Sequence, residues 1–571
     1  MAKLLPVLLW LSFMMTELFS AQPPNIIIVI TDDQGYADLG CHGNPIIQTP
    51  NIDAFSKEAV RLTDYHVSPT CSPTRGALMC GQVTDKAGPW HTINGRSYLR
   101  AEKLTIPQLL GDSGYQTAMF GKWHLGDNYP YRPHDRGFQH AIYHGGGGVG
   151  QTPDYFGNDY WDDTYFVNGK PQKYKGYCTD VFFSEAITWM EKADKKKPFF
   201  MYISTNAPHG PYIVDKKYRD LYPEKYEGKD VPREFYGMIT NIDENFKKLD
   251  DKLKALSIKE NTLLVFTTDN GSSSGHRFYN ENMSGGKGSN YDGGHRVPFI
   301  ARWPNGKWTG GKDIENLTAH VDIMPTLMDI AGVKIPADYD LDGKSLKPLF
   351  NGSKKKWADR VLFTDSQRIY TPAKWRKTSV MSERWRLLDN KLLFDIDADP
   401  AQKKNVAAEH PEVVKRLSQA YDKMWEEMEP GFEIPTFITV GTKHENPSVL
   451  TSHDWRGEVR SVPWHQRHIV EGVDSNGYWT AKFAESGKYR FSLRRWAPEI
   501  DWWIHFLQED AKFNSAKLKI DDKIYEKKIY KEEEEVVFEI DVKAGLHDLQ
   551  SYFCINKKEM RGAYYLVVEK L

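Results

Sequence analysis

Cysteine is scarce in this chain. There are five, Cys41, Cys71, Cys80, Cys178 and Cys554, and an odd number leaves at least one outside intramolecular bridges. The step from Cys71 to Cys80 matches none of the paired CxxC spacings, which argues against a structural zinc site. Net charge is equally scarce: 75 Lys and Arg stand against 77 Asp and Glu. No global field therefore recommends nucleic acid or an acidic membrane surface as a partner. Beyond the first 21 residues no run approaches the roughly 20 apolar residues of a membrane span, and no internal repeat is visible.

What is present begins with a leader. Lys3, the apolar run "LLPVLLWLSFMM" and the small residues around Ser20-Ala21 have the layout of a secretory signal peptide, with cleavage expected near residue 21. The expected product is secreted or periplasmic, where disulfides persist. A chain of 571 residues exceeds one core, since single cores stop growing at roughly 250 to 300 residues.

The run "NIIIVITDDQG" (25–35) and its counterpart "NTLLVFTTDNG" (261–271) read as strands buried on both faces that deliver polar groups at their carboxyl ends. A further strand is expected at "PFFMYIST", with amphipathic helices at 180–193 and 236–256. Strands alternating with helices predict a large, mostly parallel sheet covered by helices over 22–355, an α/β domain. From 356 to 432 short strands and one helix, "PEVVKRLSQAYDKMWEEM", closed by Pro430-Gly431, predict a small α+β subdomain. From 433 to 571 alternating segments such as "NGYWTAKF" and "EVVFEIDV" predict an accessory β-sandwich. Its many aromatics have two readings, a carbohydrate platform or simply the sandwich core.

Parallel strands present equivalent ends on one edge, so Asp32, Asp33, Asp269 and Asn270 are expected to converge there. An Asp after a strand is commonly only a turn former; two pairs on two strand ends make a metal site the better reading. Oxygen donors select Ca²⁺, and less readily Mg²⁺. In "GYQTAMFGKWHLG" (114–126) Lys122 and His124 lie two apart, and in an extended segment both would face one way. His209 sits in the Pro-bracketed "TNAPHGP", and Lys287, His295 and Arg296 lie in the Gly-rich "GGKGSNYDGGHRVP". Lysines beside Gly-rich backbone suit a tetrahedral oxyanion. With a carboxylate cluster they describe a site that hydrolyses anionic esters.

Five stretches, "TDDQG" at 31, "CSPTR" at 71, "GYQTAMFGKWH" at 114, "APHGP" at 207 and "TDNG" at 268, together resemble the type I sulfatases of the alkaline phosphatase superfamily. The resemblance runs from about residue 24 to 430 and includes "VDIMPTLMDIAG" and "LDGKSL". It implies that a partner, a formylglycine-generating or anaerobic sulfatase-maturating enzyme, oxidises Cys71 to formylglycine (3-oxoalanine). The hydrated aldehyde would attack sulfur, and its second hydroxyl would release the sulfate. The resemblance further implies that Asp32, Asp33, Asp269, Asn270 and the modified Cys71 hold Ca²⁺. Arg75 would brace the nucleophile, Lys122 and Lys287 neutralise sulfate oxygens, His209 protonate the leaving alkoxide and His124 contact the hydrated aldehyde. One dication and two lysines suit a monoanionic sulfate ester. One departure stands out: the family's Leu-Thr-Gly-Arg after the motif is Met79-Cys80-Gly81-Gln82 here.

The substrate is expected to be a sulfated carbohydrate. Trp90, His91, Arg96 and Tyr160 are candidate contacts, each with a packing role as the alternative. "HGGGGVGQTPDYFGNDYWDDTYF" (144–166) is a long loop of the type that shapes a pocket. The alternatives are a phosphonate monoester or phosphodiester hydrolase of the same superfamily, and a relative that binds carbohydrate without turnover.

Overall fold

The computed structural model describes residues 22–353, 357–457, 461–507, 512–556 and 560–571. The expected leader, residues 1–21, lies outside the described residues, and among these no helix is long and apolar enough to cross a membrane.

Five elements position the site: strand β1 (Asn25–Thr31), helix α1 (Cys71–Cys80), and strands β2 (Gln116–Lys122), β3 (Phe199–Ser204) and β4 (Thr262–Thr268). They belong to a ten-stranded sheet whose middle runs β4, β1, β3, β2 and then His140–His144, all parallel. Antiparallel pairings flank this parallel core on both sides, and Lys312–Ile314, paired in parallel with Val60–Leu62, forms one outer edge. The uninterrupted apolar run of β1 now has its cause: Ile26, Ile28 and Ile30 enter the core on one face, Ile27 and Val29 that on the other. Burial on both faces removes the polar alternation a half-exposed strand would show. Helices Cys178–Lys192 and Arg233–Ala255 cover one face, while α1 and Ile323–Ala331 cover the other. At Gly121 (φ 109°) a Cβ would stand 1.9 Å from the Ser204 carbonyl oxygen, so only glycine lets β2 deliver Lys122 beside the end of β3.

The subdomain is a four-stranded antiparallel sheet with one helix, Pro411–Phe432, across it. The helix runs past the expected stop at Pro430. Pro430 removes one backbone donor from the last turn, and Phe432 beyond it is anchored by an edge contact to Trp90 with centroids 5.6 Å apart.

The last part is a sandwich of two sheets, one including Trp479–Phe483 and Gly545–Cys554, the other Gly487–Arg494 and Tyr565–Lys570. Its Trp455, Trp479 and Trp496 are core residues, so most of the aromatic signal is packing. The sandwich is not loosely appended. Tyr98 and Tyr131 of the large domain, stacked at 4.7 Å, belong to its hydrophobic core, and Tyr131 donates to the Phe437 carbonyl at 2.9 Å. Gln466 donates to the carbonyls of Gln151 and Asp154 in the long glycine loop.

Candidate active site

Thr31 of β1 pairs with Thr268 of β4, so Asp32-Asp33 and Asp269-Asn270 leave the sheet side by side, as parallel strand ends require. Asp33 has φ 66°, a conformation that costs a non-glycine residue energy and recurs at functional sites. There its N–H donates to Asp269 Oδ1 at 3.1 Å. Asn270 Nδ2 donates to Asp33 Oδ1 at 2.9 Å and to the Gly271 carbonyl, which leaves Oδ1 as the free atom of that amide. Asn270 Oδ1 and Asp32 Oδ1 are both buried without a hydrogen-bond partner. Buried polar atoms are ordinarily paired, and two orphaned oxygens in a set of hard donors fit a Ca²⁺-type cation.

Cys71 opens α1, directly above these strand ends. Its thiol, one carboxylate oxygen of Asp32 and one of Asp269 lie within 4.8 Å of one another, and a second trio joins Asp33, Cys71 and His209. Burial pushes the Cys71 thiol up to about 11, with Lys122 and Lys287 opposing. Ser72 ties the helix start to the carbonyls of Ser97 and His124 at 3.1 and 2.8 Å.

Three carboxylates meet three cations. Lys122 Nζ is 2.5 Å from Asp32 Oδ2, with both side chains fully buried. Lys287 Nζ lies 2.6 Å from Asp33 Oδ1. Arg75, one turn after Cys71, sends Nε and Nη2 to Asp269 Oδ2 at 3.0 and 2.7 Å, and its Nη1 to the Lys122 carbonyl and Ser204 Oγ. Arg75 thus braces a carboxylate and the ends of β2 and β3, where the sequence suggested a brace on the nucleophile itself. Burial, with Asp269 alongside, drives the Asp32 carboxyl well up despite Lys122. At Asp33 burial also pushes up, but the Lys287 ammonium, by charge and by hydrogen bond, outweighs it and holds the carboxyl well below its usual range.

His209 Nδ1 lies 2.6 Å from the Gly210 carbonyl and Nε2 3.8 Å from Asp33 Oδ2. Burial, then Lys287, depresses its pKa to about 3, so the imidazole is neutral and Nε2 is the acceptor. The His209 side chain is 17% exposed and that of Lys287 20%, whereas Lys122, Arg75 and the carboxylates are shut off; the mouth of the chamber lies between these two. Tyr160 donates to the His209 carbonyl at 3.0 Å and accepts from Asn206; it fixes that loop and is itself buried.

Lys122 and His124 do not share one extended face. The strand ends at Lys122 and the chain turns at His124, φ 61°. His124 Nε2 is 2.8 Å from the Thr92 carbonyl, and at Gly147 a Cβ would stand 2.2 Å from its ring. The glycines of the 144–166 loop therefore let backbone lie directly on His124.

His295 and Arg296 fall outside the chamber. His295 is fully buried with Nδ1 2.9 Å from His66 Nδ1 and Nε2 3.2 Å from the Asn290 carbonyl; Arg296 donates to the Thr63 carbonyl and covers the Tyr36 ring. His295 belongs to a structural network with His66 and Arg386, which reaches Asp64 at 2.6 Å and Asp292 at 3.3 Å. Arg386→Met is expected to cost about 3–5 kcal/mol by stranding buried carboxylates, read by urea denaturation. Unchanged stability with reduced turnover would return this network to the chemistry.

Trp90 is core, and the Arg96 guanidinium lies 4.9 Å from its ring centroid and 4.3 Å from that of Tyr370. Tyr370 in turn meets Tyr478 of the sandwich at 3.1 Å, so Arg96 joins all three parts of the chain. His91 Nδ1 accepts from the N–H groups of Thr92 and Ile93, shaping the turn that offers Thr92 to His124. Gln82 donates to the Asp340 carbonyl.

Sequence reasoning missed Ser204, Thr92 and His453. The ring of His453, in the sandwich, lies 6.2 Å from that of His124, and its carbonyl accepts from Asn94 at 2.9 Å. No local pattern marks a contact made across more than three hundred residues.

A family profile described as Sulfatase matches residues 24–333, and one described as N-sulphoglucosamine sulphohydrolase, C-terminal, matches residues 280–428. The N-acetylglucosamine-6-O-sulfatase of Bacteroides thetaiotaomicron is 26% identical over 504 residues, covering 70% of this chain and 86% of that protein. Human arylsulfatase A is 29% identical over 467 residues, covering 70% and 87%. The crystal structure of Ps i-CgsB in complex with k-i-k-neocarrahexaose shares 29% identity at a TM-score of 0.64, covering 73% of this chain and 96% of that one.

Proposed function

The chain belongs to the sulfatase family of the alkaline phosphatase superfamily and is a sulfuric ester hydrolase; from that premise we propose that it releases sulfate from sulfated carbohydrates, with Cys71 matured to formylglycine as the nucleophile and Ca²⁺ as the metal. The observation that carries this reading is the single chamber in which Cys71, four oxygen-bearing ligands and two lysines meet. The carbohydrate rests on what similar proteins are named for, an N-acetylglucosamine-6-O-sulfatase and a structure in complex with k-i-k-neocarrahexaose.

Asp32, Asp33, Asp269 and Asn270 would hold the cation. When present, Ca²⁺ supplies a Lewis acid and formylglycine a hydrated aldehyde oxygen in place of a thiol. The chain's own residues do the rest. Lys122 and Lys287 set positive charge on two sides of an anion held at Cys71. Arg75 keeps Asp269 and the ends of β2 and β3 in register. His209, at the mouth, takes up a proton as the sulfate arrives and gives it through Nε2 to the departing alkoxide. His124, held by Thr92, orients the residue at position 71.

The working division is a catalytic unit of 22–355 and 356–432 with a sandwich of 433–571. The leader pattern supports export with cleavage near residue 21, and Pro73 and Arg75 in "CSPTR" support maturation by a partner enzyme. Parallel assays of the matured protein with an aryl sulfate and an aryl phosphodiester test the reading. Sulfate release is expected to dominate, and a large preference for the phosphodiester would overturn it.

A further inference from the structure

Beside the mouth lies a cleft of about 440 Å³ that shares Lys287 with the chamber, a volume within the roughly 300–1,000 Å³ of small-molecule sites. His276, Arg277, Arg368 and Lys377 contribute to its walls, and no Asp or Glu does. Over the whole chain Asp and Glu balance Lys and Arg, 77 against 75, so a wall with four Lys or Arg residues, one His and no acidic residue is a departure from the protein's own composition. Arg277, Arg368 and Lys377 are exposed and form no ion pair among the described residues. The one side-chain partner found for the three is a carbonyl, that of Gly288, 3.3 Å from Lys377 Nζ. Arg368 and Arg376 also stand close enough to His91 to help burial depress its pKa to about 3, which carries the positive field from the cleft toward the loop that holds His124. A concave wall of one sign focuses potential and concentrates counter-charge.

We propose that this cleft is a subsite for a second anionic group, a sulfate ester or a carboxylate, on the same saccharide that carries the scissile sulfate. The inference rests on the sulfatase reading and deepens it: the substrate is multiply charged, and Arg277, Arg368 and Lys377 read the neighbouring charge while Lys287 faces the reacting one. Shared use of Lys287 makes chamber and cleft one continuous binding surface. An unpaired guanidinium offers a planar donor fork suited to either oxyanion, and the cleft lies outside the buried set that acts on the scissile group.

Two measurements test it on the full chain. In calorimetric titration of the unmatured protein, dextran sulfate is expected to bind, neutral dextran not, and the Arg368→Ala/Lys377→Ala double variant to bind dextran sulfate about tenfold more weakly, as loss of two partly solvated charge contacts implies. Carboxymethyl dextran separates the sources: an equal loss identifies a site for any oxyanion, and a loss confined to dextran sulfate identifies a sulfate subsite. With the matured protein, kcat/KM for 4-nitrophenyl sulfate is expected to be unchanged in the double variant, while inhibition by dextran sulfate weakens about tenfold. Equal affinity of the parent and double variant for dextran sulfate would overturn the proposal. Absence of aryl sulfate turnover in the parent would count against the sulfatase reading alone, because the titration does not depend on turnover.

Discussion

Cys71→Ala is expected to lower sulfate release from an aryl sulfate by a factor on the order of 10⁵, the scale on which removal of a covalent nucleophile is felt. Stability should change by no more than about 1 kcal/mol, since one small buried group is truncated. The unmatured thiol is expected to be nearly as inactive. With its pKa pushed up to about 11 by burial, roughly one part in ten thousand is thiolate at neutral pH, and a soft sulfur is poorly matched to a cavity of hard oxygens. Cys71→Ser would restore an oxygen but not the second hydroxyl that the family's release route uses, so any sulfate accepted would stay on the enzyme. Intact mass spectrometry with kinetics checks all three: activity should track the fraction of chain in which position 71 has the mass of an aldehyde. Full turnover by protein whose Cys71 is unmodified would sink the mechanism.

The parts of the site legible in the sequence are those that the sheet itself positions. Asp32-Asp33 and Asp269-Asn270 follow double-faced apolar strands, and a parallel register of Thr31 on Thr268 leaves them nowhere else to go. Arg75 lies one helical turn from Cys71, so its proximity was local. What could not be read is which way a loop residue turns. His295 and Lys287 share one Gly-rich stretch, yet His66, 229 residues earlier, captures the histidine while Asp33 captures the lysine. His124 turns through a left-handed residue that no strand pattern announces. The sandwich was visible as alternation, but its docking was not: Tyr98 and Tyr131 lie more than three hundred residues before the sandwich, and no local pattern marks them as part of its core. His453 beside His124 is a consequence of that docking.

Ca²⁺ is expected to raise the melting temperature by about 2–5 °C at a hundredfold excess over its dissociation constant, the equivalent of roughly 2.7 kcal/mol spread over a chain of this size. Mg²⁺ should do less, because irregular carboxylate and amide donors suit the larger ion. Chelation should cost turnover on the order of 10³-fold or more, the several kcal/mol a Lewis acid contributes. The ligand variants separate binding from folding. Asp33→Asn keeps the shape of the side chain, and its partner Lys287 is 20% exposed and can turn its ammonium toward water, so its cost without metal should be smaller than that of abandoning a fully buried cation. Asp269→Asn instead abandons Arg75, which is 1% exposed; an uncompensated buried guanidinium is expected to cost about 3–5 kcal/mol even in chelator. Both variants should lose the Ca²⁺-dependent shift, and Asp269→Asn should melt the earlier of the two without metal. The reason is electrostatic: Asp33 and Asp269 already face Lys287 and Arg75, so these two carboxylates do not depend on the cation for a partner, and a dication adds positive charge beside which a sulfate monoanion fits. A Ca²⁺ shift that survives Asp33→Asn undiminished would remove that residue from the ligand set.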